Sequence, residues 1–283
     1  MVQVDAVVKD PSGHMMENLT RDDFILFEDG IRQEIQAFSR DELPLAVAIV
    51  IDRSGSMALY IQELRRIAER MLQQLRPDDE VALFSFAGEV KRIEDLTTDR
   101  GRIADGIDSV RTGGGTDIVD ALYESARYLA RAAPNRRHAI ILISDNVQTV
   151  SPRASDTETI RVAMESETVV YSIKTKGITP LLALQIPTII AGAGPVGKIV
   201  QETGGEIIEV SAISTFSTAM SNVIAHLRLR YCLGYYPSGF GQGAFHSIVV
   251  RLDERLGKPG SDYFIHARRG YYATPDYASA NRR

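Results

Sequence analysis

Leu45-Ala-Val-Ala-Ile-Val-Ile51 is apolar without a break and closes on Asp52-Arg-Ser-Gly-Ser56. Continuous apolarity without alternation predicts a strand covered on both faces, and such strands belong to parallel sheets sheathed by helices. A helix follows, because Tyr60, Leu64, Ile67, Ala68, Met71 and Leu75 share one face at the 3.6-residue period. A buried strand, a polar loop and a helix in that order open an α/β unit. Such units bind their ligands in the crevice at the carboxyl ends of the strands. Asp52, Ser54 and Ser56 stand at that end.

The alternation continues. Strands are predicted at Val81–Ala87, Val90–Ile93, Ala139–Ser144, Val169–Ile173 and Ile207–Val210, and helices at Gly101–Val110, Asp117–Ala133, Ser155–Ser166, Val196–Thr203 and Thr215–Leu227. This predicts a Rossmann-like α/β fold, a mainly parallel sheet with helices on both faces. Both ends of the chain have a different texture. Val2, Val4, Ala6 and Val8 alternate with Gln3, Asp5 and Val7, Asp10-Pro-Ser-Gly13 supplies a turn, and Thr20 with Asp23 resembles a capping box. Phe24–Phe27 and Ile31–Phe38 then read as strands joined by a tight Asp29-Gly30 hairpin. At the other end Leu229, Tyr231, Leu233 and Tyr235 alternate, and Phe245–Leu252 and Tyr263–Arg268 supply further strands.

About three strands at each end are too few for an independent sheet. The two ends are therefore expected to combine into one smaller β-sandwich-like domain, with the α/β domain inserted in it. The expected boundaries are 1–42 and 229–273 for the β domain, 43–228 for the inserted domain, and 274–283 for a polar tail that frays. Residues 179–194 are unusually apolar for a loop and read either as a covering insertion or as an exposed partner patch.

Composition narrows the function classes. With 44% hydrophobic and 24% charged residues in 283, neither wholesale disorder nor a membrane protein fits the balance. Acidic side chains outnumber basic ones, 37 to 32, for a formal net charge of −5, and no Lys/Arg block tracks a phosphate backbone. Nucleic acid is thus not an expected partner, and no apolar run is long enough for a membrane span. No charged segment followed by an apolar one opens the chain. If a leader has been trimmed away, a secreted or cell-envelope location is expected; otherwise the compartment stays open, as does the oligomeric state. Cys232 is the only cysteine, and the five histidines have no metal-binding spacing, which removes zinc motifs.

Oxygen donors remain. Gly113-Gly-Gly-Thr116-Asp117 precedes a helix, and Ser144-Asp145 ends a buried strand, both at the same predicted edge as Asp52. Asp52, Ser54, Ser56, Thr116 and Asp145 together offer two carboxylates and three hydroxyls, a hard set that suits Mg2+, or in its place Mn2+ or Ca2+. With one or both of the two carboxylates acting through water and neutral hydroxyls filling the rest, the 2+ charge is barely offset, so a vacant position would favour a carboxylate from a protein partner. A bare Asp-x-Ser-x-Ser arises by chance in about one chain of this length in twenty, so the weight rests on the three loops taken together. Blander readings exist: Ser56 as a helix cap and Asp52 as a turn acceptor. No phosphate-binding Gly-x-x-x-x-Gly-Lys-Ser/Thr and no Gly-x-Ser-x-Gly is present. Cys232, His138 and His266 read as structural.

Asp52-Arg-Ser-Gly-Ser-Met57, Thr112-Gly-Gly-Gly-Thr-Asp117 and Ile141-Leu-Ile-Ser-Asp145 resemble the metal-ion-dependent adhesion site of von Willebrand factor A domains. Leu19-Thr-Arg-Asp-Asp-Phe24, Phe27-Glu-Asp-Gly30, Thr203-Gly-Gly205, Tyr231-Cys-Leu-Gly-Tyr235 and Arg269-Gly-Tyr-Tyr272 extend the likeness to a bacterial family related to these domains, over nearly the whole chain. The resemblance implies a mainly parallel sheet with one antiparallel edge strand and a metal site used for non-enzymatic binding of a partner Asp or Glu. It implies hydroxyl ligands at Ser54, Ser56 and Thr116, and carboxylates at Asp52 and Asp145 acting directly or through water. Asn146 departs from the family's usual Gly, and Asn tolerates the left-handed conformation that such a turn demands. Two rivals are a Mg2+-dependent phosphoryl-transfer or hydrolase enzyme using Asp52, and a structural module with an empty metal site.

Overall fold

Leu45–Asp52 (β5) is buried at all of its positions, as its composition requires. The computed structural model describes residues 1–40, 43–176, 194–237, 244–253, 255 and 263–273. The chain divides into two compact units, one of Met1–Glu42, Gln201–Gly205 and Ala225–Arg283, the other of Leu43–Val200 and Glu206–Ile224.

In the second unit β5 lies within a six-stranded sheet with Glu80–Phe86 (β6), Val90–Thr97 (β7), Arg137–Ser144 (β8), Thr168–Thr175 (β9) and Ile207–Val210 (β10), in the order β10-β9-β8-β5-β6-β7. All pairings are parallel except β6 with β7. The chain leaves β5 for β6 on one side and later returns through β8 on the other. Strand order therefore reverses at β5, which opens a crevice at its carboxyl end. The register pairs Ile51 with Ile143 and Asp52 with Phe86, so Asp52 and Ser144 emerge side by side.

The helices are Ala58–Leu72 (α1), Arg100–Ser109 (α2), Ile118–Ala132 (α3), Asp156–Glu165 (α4), Pro195–Glu202 (α5) and Phe216–Arg228 (α6). Side chains of Asp99, Asp117 and Ser155 accept backbone N–H groups at the starts of α2, α3 and α4, which satisfies donors a helix start leaves unpaired. One stripe of α1, from Tyr60 through Leu64 and Ile67 to Met71, is buried. Each Leu or Ile so buried contributes about 1.5–3 kcal/mol. His138 is buried in β8 with both ring nitrogens 2.7 Å from carbonyl oxygens, those of Ser166 and Ala133. Cys232 is buried.

Among the described residues the first unit holds two four-stranded antiparallel sheets. Val2–Lys9 (β1), Ala37–Arg40 (β4), Tyr231–Tyr235 (β11) and Phe264–Ala267 (β13) form one, in the order β13-β1-β11-β4. Phe24–Glu28 (β2), Ile31–Gln33 (β3), Phe245–Leu252 (β12) and Gly270–Tyr272 (β14) form the other, in the order β14-β12-β2-β3. Val4, Val8, Phe24, Leu26, Leu233 and Ile248 meet in one core between the sheets, so the chain ends build a sandwich around which alternation makes physical sense. The Thr20–Asp23 capping box is present, with Thr20 N–H donating to Asp23 Oδ2 at 2.7 Å.

Tyr231 anchors this core. Its hydroxyl donates to Met16 O at 2.7 Å and accepts from Leu19 N–H at 3.0 Å. Burial raises the pKa of the phenol. Tyr231→Phe strands both backbone groups and is expected to cost about 1–3 kcal/mol, measured by urea unfolding.

The sheets depart from the sequence reading at three places. The run Ile31–Phe38 is two strands in different sheets, because the chain crosses the sandwich at 34–36 with Ile35 turned into the core. Gly270–Tyr272 adds a strand, pairing with β12. The strand around Tyr231 starts there and not at Leu229, since α6 runs on to Arg228. Most of the apolar stretch 179–194 and the whole tail 274–283 lie outside the described residues.

Candidate metal centre at the carboxyl end of the parallel sheet

The Asp52 carboxylate is fully buried where β5 ends. Its Oδ1 accepts from Ser54 N–H at 2.8 Å and its Oδ2 from the Ser144 hydroxyl at 2.7 Å. Burial is the main cause that raises its pKa, and the nearby Asp145 charge adds to it. The chain then makes a single 3-10 turn, Gly55–Met57, into α1. That turn aims two hydroxyls the same way: Ser54 Oγ and Ser56 Oγ lie 3.0 Å apart, and Ser56 Oγ donates to Asp145 Oδ2 at 2.6 Å.

Asp145 follows β8. Val147 N–H donates to its Oδ1 at 3.0 Å, so the carboxylate is fixed from both sides. Asn146 adopts φ 60°, the left-handed conformation expected of the residue after Asp145. It adds a clamp that glycine lacks, since Asn146 Nδ2 lies 3.0 Å from the Ser172 hydroxyl on β9.

Thr116 arrives by backbone bonds. Gly113 N–H donates to Arg53 O at 2.7 Å, Arg53 Nη1 donates to Gly113 O at 3.0 Å, and Asp117 N–H donates to Ala87 O at 2.8 Å. Together they draw the glycine loop to the Asp52 loop. On its other side Thr116 O accepts from Thr149 and Val150 N–H, while Thr116 N–H donates to Thr149 Oγ1 at 2.7 Å. A Cβ on Gly115 would stand 2.7 Å from Val150 Cγ2, so close loop packing requires glycine there. Ser54, Ser56 and Asp145 thus form one hydrogen-bonded chain beside Asp52, and Thr116 is buried at the same edge.

This donor set fits a hard divalent cation. Among the described residues no three His, Cys, Asp or Glu side chains gather as a metal group, so hydroxyls must supply part of any shell. Oxygens sharing an octahedral ion with bonds of 2.0–2.1 Å lie about 3 Å apart, the spacing of Ser54 Oγ and Ser56 Oγ. A cation would also offset the charge that burial disfavours on Asp52.

Residues 47–148 match the family model described as the von Willebrand factor type A domain. Over that segment the chain is similar to von Willebrand factor type A domains. The matched segment runs from β5 past Asp145 and holds all five candidate ligands. Solved structures share the fold. A von Willebrand factor type A protein from Catenulispora acidiphila is 11% identical, covers 98% of this chain and 75% of its own, and has a TM-score of 0.55. An aerotolerance-related membrane protein from Bacteroides fragilis is 18% identical over 64% of this chain and 98% of its own, with a TM-score of 0.50. The von Willebrand factor domain of the pilus tip protein Mfa5 from Porphyromonas gingivalis is 12% identical over 70% of this chain and 98% of its own, with a TM-score of 0.50. No curated protein sequence compared with this chain matches it significantly. Von Willebrand factor type A domains are generally non-enzymatic modules that bind protein partners.

Sequence reasoning missed the supports of this site. Asp120, buried on α3, accepts N–H groups of Arg153 at 3.0 Å and Ala154 at 2.8 Å and the Arg153 guanidinium at 2.8 Å, which pins the loop that carries Asp145. Gln148 bridges the same loop to α3, accepting from Ile118 N–H and donating to Asp117 Oδ1. The available signal was a charged residue on the apolar face of α3. Burial alone would raise the Asp120 pKa, but these hydrogen bonds outweigh it and hold the carboxyl below its ordinary value. Its stabilising contribution is therefore present above the ordinary carboxylate range and is lost as pH falls through the lowered pKa. Asp120→Ala is expected to cost about 2–4 kcal/mol near neutral pH and much less in acid, measured by urea unfolding across pH.

Proposed function

We propose that this chain is a non-enzymatic protein-binding module whose affinity depends on a divalent metal, Mg2+ by donor hardness, held by Asp52, Ser54, Ser56, Thr116 and Asp145. The observation that carries the reading is the Ser54–Ser56–Asp145 oxygen chain beside the buried Asp52 carboxylate. The bound ion would supply a Lewis-acidic position for one carboxylate oxygen of a partner Asp or Glu. The chain's own residues do the rest. Ser144 and the Ser54 N–H orient Asp52, Val147 N–H orients Asp145, and the backbone clamp between Arg53 and Gly113 holds the Thr116 loop in reach.

A setting in the cell envelope or outside the cell belongs to the same proposal. Its support is that two proteins of similar fold are named a membrane protein and a pilus tip protein. Among the described residues no helix is long and apolar enough to cross a membrane.

The test is calorimetric titration of EDTA-stripped protein with MgCl2, MnCl2 and CaCl2, alongside thermal melts with and without metal. Saturable binding is expected, and Ser54→Ala is expected to weaken it by at least about tenfold. Flat titrations, with melts identical in Mg2+ and EDTA, would overturn the metal reading in favour of a structural module.

A further inference from the structure

The chain as a whole is acidic, with a net charge of −5, but the loops around the candidate metal centre are not. Among the described residues of the loops that follow β5, β6, α2, β8 and β9, the exposed charged side chains are Arg111, Arg153 and Lys176 against Glu89, and Arg53 and the candidate ligand Asp145 are half-buried. Arg153 is committed to Asp120. Arg53 is held differently. It occupies the second position of Asp52-Arg-Ser-Gly-Ser56, and its guanidinium rests on one neutral acceptor, Gly113 O at 3.0 Å through Nη1. Arg111 has the same arrangement at the other end of the glycine loop, with Nη1 on Asp108 O at 2.6 Å. Two guanidinium groups of these loops are therefore positioned by backbone carbonyls, with no carboxylate spent on them in those bonds.

A single partner carboxylate completing a metal does not need such a rim. The cations would even oppose the metal itself, because like charges repel. They favour a ligand that brings more negative charge than the metal position consumes. Planar guanidinium groups also match carboxylates in shape as well as charge.

We propose that the partner segment is acidic beyond its metal-binding residue: it carries a second Asp or Glu within one or two positions of the first, and Arg53, assisted by Arg111, reads that second carboxylate. This rests on the metal-bridge reading above and adds the partner's charge pattern to it. Arg53 then has two tasks in one pose. It clamps Gly113 and so the Thr116 loop, and it presents its remaining N–H donors to the partner. Rim charge of this kind acts mainly on association rate and salt dependence.

The probe is a random-peptide display library, selected against the full chain in MgCl2 and, in parallel, in EDTA. The wild type is expected to select peptides with an obligate Asp or Glu and a second acidic residue beside it, in Mg2+ only. Arg53→Gln removes the charge, and the backbone bond from Gly113 N–H to Arg53 O, which the substitution leaves in place, still ties the glycine loop. Arg53→Gln and Arg111→Gln are each expected to weaken the second acidic preference, while calorimetric titration with MgCl2 reports metal binding separately in each. In defined peptides the advantage of two acids over one is expected to fall by about two- to fivefold in Arg53→Gln, and to shrink in the wild type as salt is raised. Selection that requires Mg2+ but shows no second acid, or that keeps the second acid in both Arg53→Gln and Arg111→Gln, overturns this inference alone. Selection indifferent to EDTA, or no carboxylate selection at all, overturns the metal-bridge reading and this inference with it.

Discussion

Asp52→Asn is expected to abolish the response to Mg2+ while leaving the metal-free protein as stable as the wild type or more so. The two effects have opposite causes. Burial disfavours the Asp52 anion, and Asp145 adds like charge, so in EDTA the carboxylate is held at a cost that a neutral amide avoids. The amide also fits its neighbours. Its oxygen can accept from Ser54 N–H as Oδ1 does now, and its NH2 can donate to Ser144 Oγ, a hydroxyl able to accept instead of donate. With metal the order reverses. Mg2+ at 100 times its Kd stabilises the wild type by about 2.7 kcal/mol, which raises Tm by several degrees in a chain of this size, and the variant loses the anion that makes this possible. Melts of both proteins in EDTA and in Mg2+ give the result directly. A Mg2+ response of wild-type size in Asp52→Asn would remove Asp52 from the proposed ligands, and a large loss of stability in EDTA would mean that its negative charge serves the fold.

That contrast also shows what was legible before any coordinates. The apolar run of β5 announced a doubly covered strand, because a strand buried on both faces has no reason to alternate, and its polar end marked the switch point. Strand ends alone placed two of the loops, those of Asp52 and Asp145, whereas the Thr116 loop joins α2 to α3 and was marked by its glycines and its motif. What the sequence left unwritten is of two kinds. The break between β3 and β4 is invisible because Ile35 faces the core while the chain changes sheets, so alternation runs through the crossing undisturbed. The supports of the site are invisible because they are long-range polar contacts: nothing local says that Asp120 will hold Arg153 and Ala154, or that Asn146 will reach Ser172. Periodicity reports which face is buried. It carries no information on which distant backbone N–H a buried carboxylate will satisfy.

Gly204→Ala is expected to be among the most damaging single substitutions, although Gly204 sits far from any candidate ligand in sequence. Two penalties combine there. Gly204 has φ 78°, a conformation that costs an L-residue about 1–2 kcal/mol. A Cβ at that position would also press on Arg268 N and stand 2.5 Å from Ala267 C, both backbone atoms that cannot rotate away. The surrounding contacts are just as close: Arg269 N–H donates to Glu202 O at 3.1 Å, and His266 Nδ1 lies 3.2 Å from Gly205 O. Relief therefore requires moving the β13–β14 connection, which is paired on both sides to β1 and β12. Strain and overpacking together predict a loss of about 2–5 kcal/mol. Gly13→Ala is the matched control, since Gly13 has φ 86° but nothing within 4 Å of an added Cβ, so it carries the first penalty alone. Urea unfolding of both variants separates the two contributions. Equal losses would mean that the Thr203-Gly-Gly205 segment is needed for its backbone conformation and that its close approach to Ala267 and Arg268 contributes nothing.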